Sequence, residues 1–224
     1  MADLALLLLT LAWGTTFLLV KNALEGTSAS VFLVLRFAVA SAAVGLVVLG
    51  RRDRPSREVV RHGVLLGLAM FGGFELQTQG LRFTTPARSG FLTGLAVLLV
   101  PFLARFLLRR RVPAAAWAGV ALAVVGLVGL TQVFQGGVAA EVRLGDLLTA
   151  GCAVAYAFQI IYTSEWSARH PLSVLTLVQV TTTFALAVLF APFDDPTVSV
   201  TPALAATVLF TGLPMTAGAF FVMN

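Results

Sequence analysis

Cysteine is nearly missing from this chain: Cys152 stands alone in an apolar stretch, so neither a disulfide framework nor a Cys-based metal site is available. Charge is scarce as well, at 11% of residues against roughly 25% in soluble domains. No H-E-x-x-H, G-x-S-x-G or Walker loop occurs, and the two histidines, His62 and His170, fall at predicted helix ends rather than facing each other in a core. These absences argue against an enzyme and predict neither a cofactor nor a metal. The net charge of +5 sits in short basic clusters between apolar runs, without interleaved aromatic stacking partners. That pattern argues against nucleic acid as a partner.

What the chain does have is apolar residue, 58% of it with glycine left out and a mean hydropathy of +0.95. The fold class is therefore an all-α integral membrane protein in a lipid bilayer. Eight candidate transmembrane helices are predicted near 4–23, 30–50, 62–82, 87–108, 113–134, 146–165, 171–191 and 200–224. Asp3 stands where a signal peptide would be basic, so the first run is predicted to be retained as a span. Pro55, Pro113, Pro171, Pro196 and Pro202 punctuate the predicted ends.

The stretch from Pro86 to Arg111 fixes the membrane orientation. Its apolar run ends in Arg109, Arg110 and Arg111, and short basic loops are retained in the cytoplasm. With the amino terminus cytoplasmic, Arg51, Arg52, Arg54, Arg57, Arg61, Arg105, those three arginines and Arg169 all lie inside. Only Lys21, Arg82, Arg88 and Arg143 lie outside. In the same stretch Gly90 and Gly94 share one helix face, which predicts close approach of a neighbouring helix.

Sliding the chain along itself pairs Asp3 with Asp146, Trp13 with Tyr156, Gly14 with Ala157 and Arg36 with Gln179. Two residues further on, Met70 pairs with Met215 and Gly73 with Gly218. Five spans separate the copies, and an odd number inverts the second, as in secondary transporters whose substrate sits between the halves. Residues 1–134 are predicted to form a first five-helix unit, and 135–224 an incomplete second unit of about three helices. Asn224 pairs with Gln79, so the expectation is a C-terminally truncated 5+5 inverted repeat.

LAWGTTFLLVKNAL in the first span, LRFAVASAA at 35–43, the stretch 80–130, and GDLLTAGCAVAYAFQIIYTSEWSARHPL at 145–172 resemble the EamA-type transporters of the drug/metabolite transporter superfamily. The resemblance implies an inner-membrane carrier with a central cavity between two units, exporting amino acids, metabolites or amphipathic drug-like compounds by alternating access. A proton is the candidate coupling ion, and a homodimer the candidate assembly. The other reading is a non-transporting membrane subunit or fragment that needs a partner or further helices to complete its cavity.

Charge deep in a span costs about 2.5–3.5 kcal/mol on insertion scales, which singles out Glu75 and Arg36. Gly72, Glu75, Gln79 and Arg82 form one polar stripe at helical spacing. Glu75 is either a cavity carboxylate for a substrate amine or coupling proton, or the structural ion-pair partner of Arg36, which lies at similar depth. Trp13 and Thr16 interrupt the first span, and Tyr156 and Gln159 interrupt its repeat mate; they either line the cavity, suiting an amphipathic substrate, or simply pack. Thr176, Gln179 and Thr183 read as interhelical hydrogen bonding. Asp146 reads as a helix N-cap and Lys21 as an interfacial anchor.

Overall fold

The computed structural model describes residues 2–51, 55–130 and 144–219, with side chains described for 10–51, 55–126 and 144–219. Among these lie eight α-helices: α1 (Ala2–Ala23), α2 (Ala29–Arg51), α3 (Arg57–Phe83), α4 (Pro86–Phe106), α5 (Ala114–Leu130), α6 (Leu144–Ser167), α7 (Leu172–Phe190) and α8 (Pro202–Gly212). A 3-10 turn at Ala191–Phe193 extends α7, and a π-helical turn at Leu213–Gly218 extends α8. The eight spans read from hydropathy correspond to these helices, although the fourth stops at Phe106 rather than at 108. Arg52, Arg54, Arg143, the Asp3 side chain and Asn224 lie outside the described residues, so their part in the orientation and repeat readings has no structural counterpart.

Among the described residues five helices, α2, α3, α4, α6 and α7 with its extension, are long and apolar enough to cross a membrane. The protein is a multi-pass membrane protein. Local sequence sets where several helices begin. Ser56 accepts from the Val59 amide to start α3, while Thr85 before Pro86 caps α4 and Thr201 before Pro202 caps α8. A hydroxyl satisfies an orphan amide in each case, and proline at the first helical position has no amide to lose. At the far end of α3, the Lys21 ammonium donates to the carbonyls of Leu81, Arg82 and Thr84, at 2.6, 3.0 and 3.2 Å. Lys21 therefore caps a helix C-terminus, where a cation meets the negative end of the dipole.

The centre is built from α2, α3 and α7, whose Phe32, Phe37, Leu66, Leu81, Leu175 and Val180 are fully buried. Helix α3 packs against both α6 and α7, α2 against α7 and α8, and α1 against α4 and α8; α5 lies on α4. Lipid supplies no hydrophobic drive between helices, so these contacts depend on small residues and interhelical hydrogen bonds. Several of the close approaches fall on α3. A Cβ added at Gly63 lies 2.6 Å from Val178, one at Gly67 lies 2.5 Å from Thr182 and 2.8 Å from the Gln179 carbonyl, and one at Gly73 lies 2.4 Å from the Tyr156 ring.

Gly90 is a correction to the expected close approach on α4. A Cβ there meets the Phe17 ring at 3.7 Å, ordinary van der Waals contact, and Gly94 is only half-buried. Ala at Gly90 is therefore expected to leave the melting temperature in detergent within about 1 °C of the parent, or to raise it through a less flexible unfolded chain. A loss of several degrees would show tighter packing of α1 on α4 than this spacing allows.

Candidate functional site

At the end of the bundle where α2 and α4 begin and α3 and α7 finish, two loops are fastened together. Thr27 and Val198 form an isolated antiparallel bridge, the Ser28 amide donates to the Thr197 carbonyl at 3.0 Å, and the Ser199 amide donates to Gly26 at 2.7 Å. This holds Asp194 over the start of α2, where its Oδ2 accepts from the Ser30 amide at 2.9 Å. That amide is one of the orphan donors of a helix N-terminus, and a carboxylate there also meets the positive end of the dipole.

From Asp194 the polar groups close into a ring. The Arg82 Nη1 group donates to Asp194 Oδ1 at 2.9 Å and to Gln79 Oε1 at 3.0 Å. Gln79 Nε2 donates to Glu75 Oε1 at 2.9 Å, and the Ser30 hydroxyl donates to the same oxygen at 3.0 Å. The Gln79 amide is oriented by its neighbours, since its oxygen faces a cation and its nitrogen a carboxylate. The stripe read from α3 is thus a connected network that also recruits Ser30 and Asp194. The second Glu75 oxygen, Oε2, is buried and has no hydrogen-bond partner among the described residues.

Arg82 and Asp194 also border a cavity of about 390 Å³, together with Glu25, Ser28 and Asp195. The hydroxyls of Thr27 and Ser28 on its wall are likewise buried without a partner among the described residues. Asp194 itself lies outside the membrane-spanning helices. Partial burial pushes its carboxyl up, but the Ser30 amide, Gln79 and Arg82 outweigh burial and hold it below the usual range. A depressed value in the folded state gives stability that is present above the ordinary Asp pKa of about 3.9 and is lost as pH falls through the lower folded value. Asp194→Asn is expected to cost about 1 kcal/mol near neutral pH and to flatten the fall in melting temperature below about pH 4. An identical acid limb in the variant would mean that other carboxylates govern it.

Arg36 takes no part in this ring. Its guanidinium donates through Nε and Nη2 to Thr216 Oγ1, at 3.1 and 3.0 Å, and lies 4.4 Å from the centre of the Phe74 ring. The expected Arg36–Glu75 ion pair is therefore not formed; a hydroxyl and an aromatic face receive the cation instead. Trp13 and Tyr156 do not face one another either. The Trp13 indole donates to the Met215 carbonyl at 3.0 Å, whereas the Tyr156 ring covers Gly73 and its hydroxyl donates to Gln77 Oε1 at 3.3 Å.

Thr16 donates to the Trp13 carbonyl within its own helix and borders a crevice of about 10 Å³ beside Arg36, with room for one water at most. Gln159 donates to Thr163 one turn on. Gln179 donates to the Met70 sulfur at 3.0 Å, and Thr183 to the Gly67 carbonyl at 3.2 Å, so that polar line does bond between helices. Asp146 lies inside the first turn of α6; it accepts from the Thr84 hydroxyl at 2.7 Å and pairs with Arg88, binding α6 to α4 in addition to any capping role.

At the opposite end His62 and His170 do face each other, with ring nitrogens 2.9 Å apart, contrary to the separation read from the sequence. Glu165 pairs there with Arg169 and Arg110.

The model of the EamA-like transporter family matches residues 1–132, more than half of the chain. The chain belongs to the EamA-like transporter family. An uncharacterized transporter of Archaeoglobus fulgidus is 33% identical to this EamA-like chain over 192 residues. That alignment covers 86% of the chain and 57% of the relative, so the chain spans under two thirds of the length of that protein. A crystal structure at 24% identity superposes with a TM-score of 0.69, covering 96% of this EamA-like chain and 77% of the other. The fold is shared with that structure.

Proposed function

We propose that the chain is the core of a secondary transporter that exports small organic metabolites, amino acids or amphipathic drug-like compounds, by alternating access. It would sit in the inner membrane with its amino terminus in the cytoplasm, and Glu75 would be the carboxylate that meets a substrate amine or a coupling proton. The observation that carries this reading is the Glu75 Oε2 atom. One carboxylate oxygen is fully engaged while the other is buried and has no partner among the described residues, and a proton or an ammonium group supplies what that atom lacks. Arg82 and Asp194 stand between it and the 390 Å³ cavity, so binding and loop opening are linked through shared hydrogen bonds.

Paired contacts favour the two-unit organisation. Gly67 of α3 rests on the Gln179 carbonyl of α7, and Gly212 of α8 rests on the Arg36 carbonyl of α2, with added Cβ atoms at 2.8 and 2.9 Å. The aromatic contacts repeat the relation: Tyr156 lies on Gly73, and Trp13 on the turn holding Met215. Such pairing about α2 and α7 is what an inverted repeat produces.

The test is flux of a fluorescent amphipathic organic amine in proteoliposomes carrying the protein, with and without an imposed pH gradient. Gradient-driven accumulation that collapses on adding an uncoupler is expected. Flux indifferent to the gradient would remove the coupling assignment, and no flux above protein-free vesicles for amines and amino acids alike would overturn the carrier reading.

A further inference from the structure

We propose that Glu58, His62 and His170 form a binding site for a divalent transition metal that clamps the start of α3 to the α6–α7 turn. This site lies at the far end of the bundle from Glu75 and is independent of the transport reading. One ligand atom from each of the three residues falls within 4.8 Å of the others. Among the described residues this is the grouping of histidine and acid with ligand spacing.

The fold gives each residue a reason to be there. Glu58 and His62 are one helical turn apart at the beginning of α3, which puts both side chains on one face. His170 arrives from the other side, fixed by its amide bonding to the Trp166 carbonyl at 3.1 Å and by Pro171, which leads into α7. His62 Nδ1 and His170 Nε2 are 2.9 Å apart, somewhat closer than two nitrogens bound at roughly 2.0–2.1 Å to one tetrahedral ion, so a small outward movement makes room for the metal. Trp166 lies flat on His62, with ring centres 4.1 Å apart and planes 4° from parallel, and so limits rotation of the imidazole. Arg169, on the same turn, is held by Glu165 at 2.5 Å.

The donor set decides the class of ion. Two imidazoles and a carboxylate suit zinc, cobalt, nickel or copper, whereas magnesium and calcium require mostly oxygen. His62 is buried, His170 half-buried and Glu58 exposed, so a fourth position faces solvent and takes water. Without metal, the two facing nitrogens share one N–H. Binding requires both lone pairs, so that proton moves to the distal nitrogen of one ring, where no net charge is created. Binding needs neutral imidazoles, so protons compete with the ion and affinity falls as the pH is lowered.

The experiment uses the full chain in detergent with any polyhistidine tag removed, titrated with cobalt(II), and melted with zinc(II) or magnesium(II). Visible absorption bands of low-symmetry cobalt are expected, together with a melting temperature raised about 5 °C by zinc at a hundred times its Kd, reversed by EDTA and not produced by magnesium. Glu58→Gln, on an exposed side chain that leaves folding intact, should weaken cobalt binding at least about tenfold, and His170→Gln more. Absence of bands and of a zinc shift in the parent protein would show that the histidines are only hydrogen-bonded to each other and would overturn the proposal. So would equal cobalt affinity in the parent and in both variants.

Discussion

Glu75→Gln is expected to abolish the pH dependence of flux and to weaken binding of an organic amine about 10–100-fold, the size of a lost charge-assisted hydrogen bond. The fold should survive this change. Ser30 and Gln79 both donate to Oε1, and a glutamine oxygen in the same place still accepts from them. What the variant loses is confined to the Oε2 position, where an amide nitrogen can neither take up a proton nor attract a cation. Arg36→Gln offers the internal control. Because Arg36 bonds to Thr216 rather than to Glu75, the stability costs of the two substitutions should add within about 0.5 kcal/mol. Rescue of Glu75→Gln by Arg36→Gln would restore the ion pair that the geometry rejects, and full transport with an unchanged pH profile in Glu75→Gln would remove this carboxylate from the mechanism.

The largest loss of stability is expected from Gly145→Ala. At this position the start of α6 crosses the end of α3 backbone against backbone: an added Cβ lies 2.4 Å from the Gly80 carbonyl oxygen and 2.9 Å from both the Phe83 carbonyl carbon and the Thr84 nitrogen. The reverse contact is also too close for a side chain, with a Cβ at Gly80 lying 2.8 Å from the Gly145 carbonyl oxygen. No side chain is available to swing aside, so the helices must separate, and the neighbouring Thr84–Asp146 hydrogen bond lengthens with them. A cost of about 3 kcal/mol follows from overpacking of this kind, enough to reduce folded yield sharply in a protein of ordinary stability. Gly72→Ala, with nothing within 4 Å of the new carbon, is the matched control for helix propensity. Equal detergent melting temperatures for Gly145→Ala and Gly72→Ala would show that these backbones part freely.

The helices themselves were legible because lipid imposes a simple rule: a long apolar run with charges outside it has to be a span. The polar stripe on α3 was legible for a related reason, since Glu75, Gln79 and Arg82 stand out against an apolar background at helical spacing. Its closure was not. Ser30 and Asp194 join the ring across the fold, and both look like ordinary helix-end residues until the two loops are fastened together by the Thr27–Val198 bridge.

Glycine spacing misled in an instructive way. Gly90 and Gly94 share the spacing of Gly63 and Gly67, yet it is the α3 pair that lies against a neighbouring backbone. Spacing marks a smooth face, whereas tightness depends on which helix occupies it, and α3 is the one packed between α6 and α7. The facing of His62 and His170 was hidden likewise, because it arises from the docking of the α6–α7 turn on α3.

The π-helical turn at Leu213–Gly218 stores one residue more than an α-helix of that length would need. Pro214 lies within it and has no amide proton to place in a helical ladder. The wider turn presents the Met215 carbonyl to Trp13 and lets Thr216 bond back to the Thr211 carbonyl while receiving Arg36. Tightening it to α-helical winding would shift the register of the turn by one residue, about 100°, and withdraw Met215 and Thr216 from α1 and α2 together. The eighth helix therefore ends in a wound-out turn whose surplus residue, rather than a shift along its neighbours, sets which groups face α1 and α2.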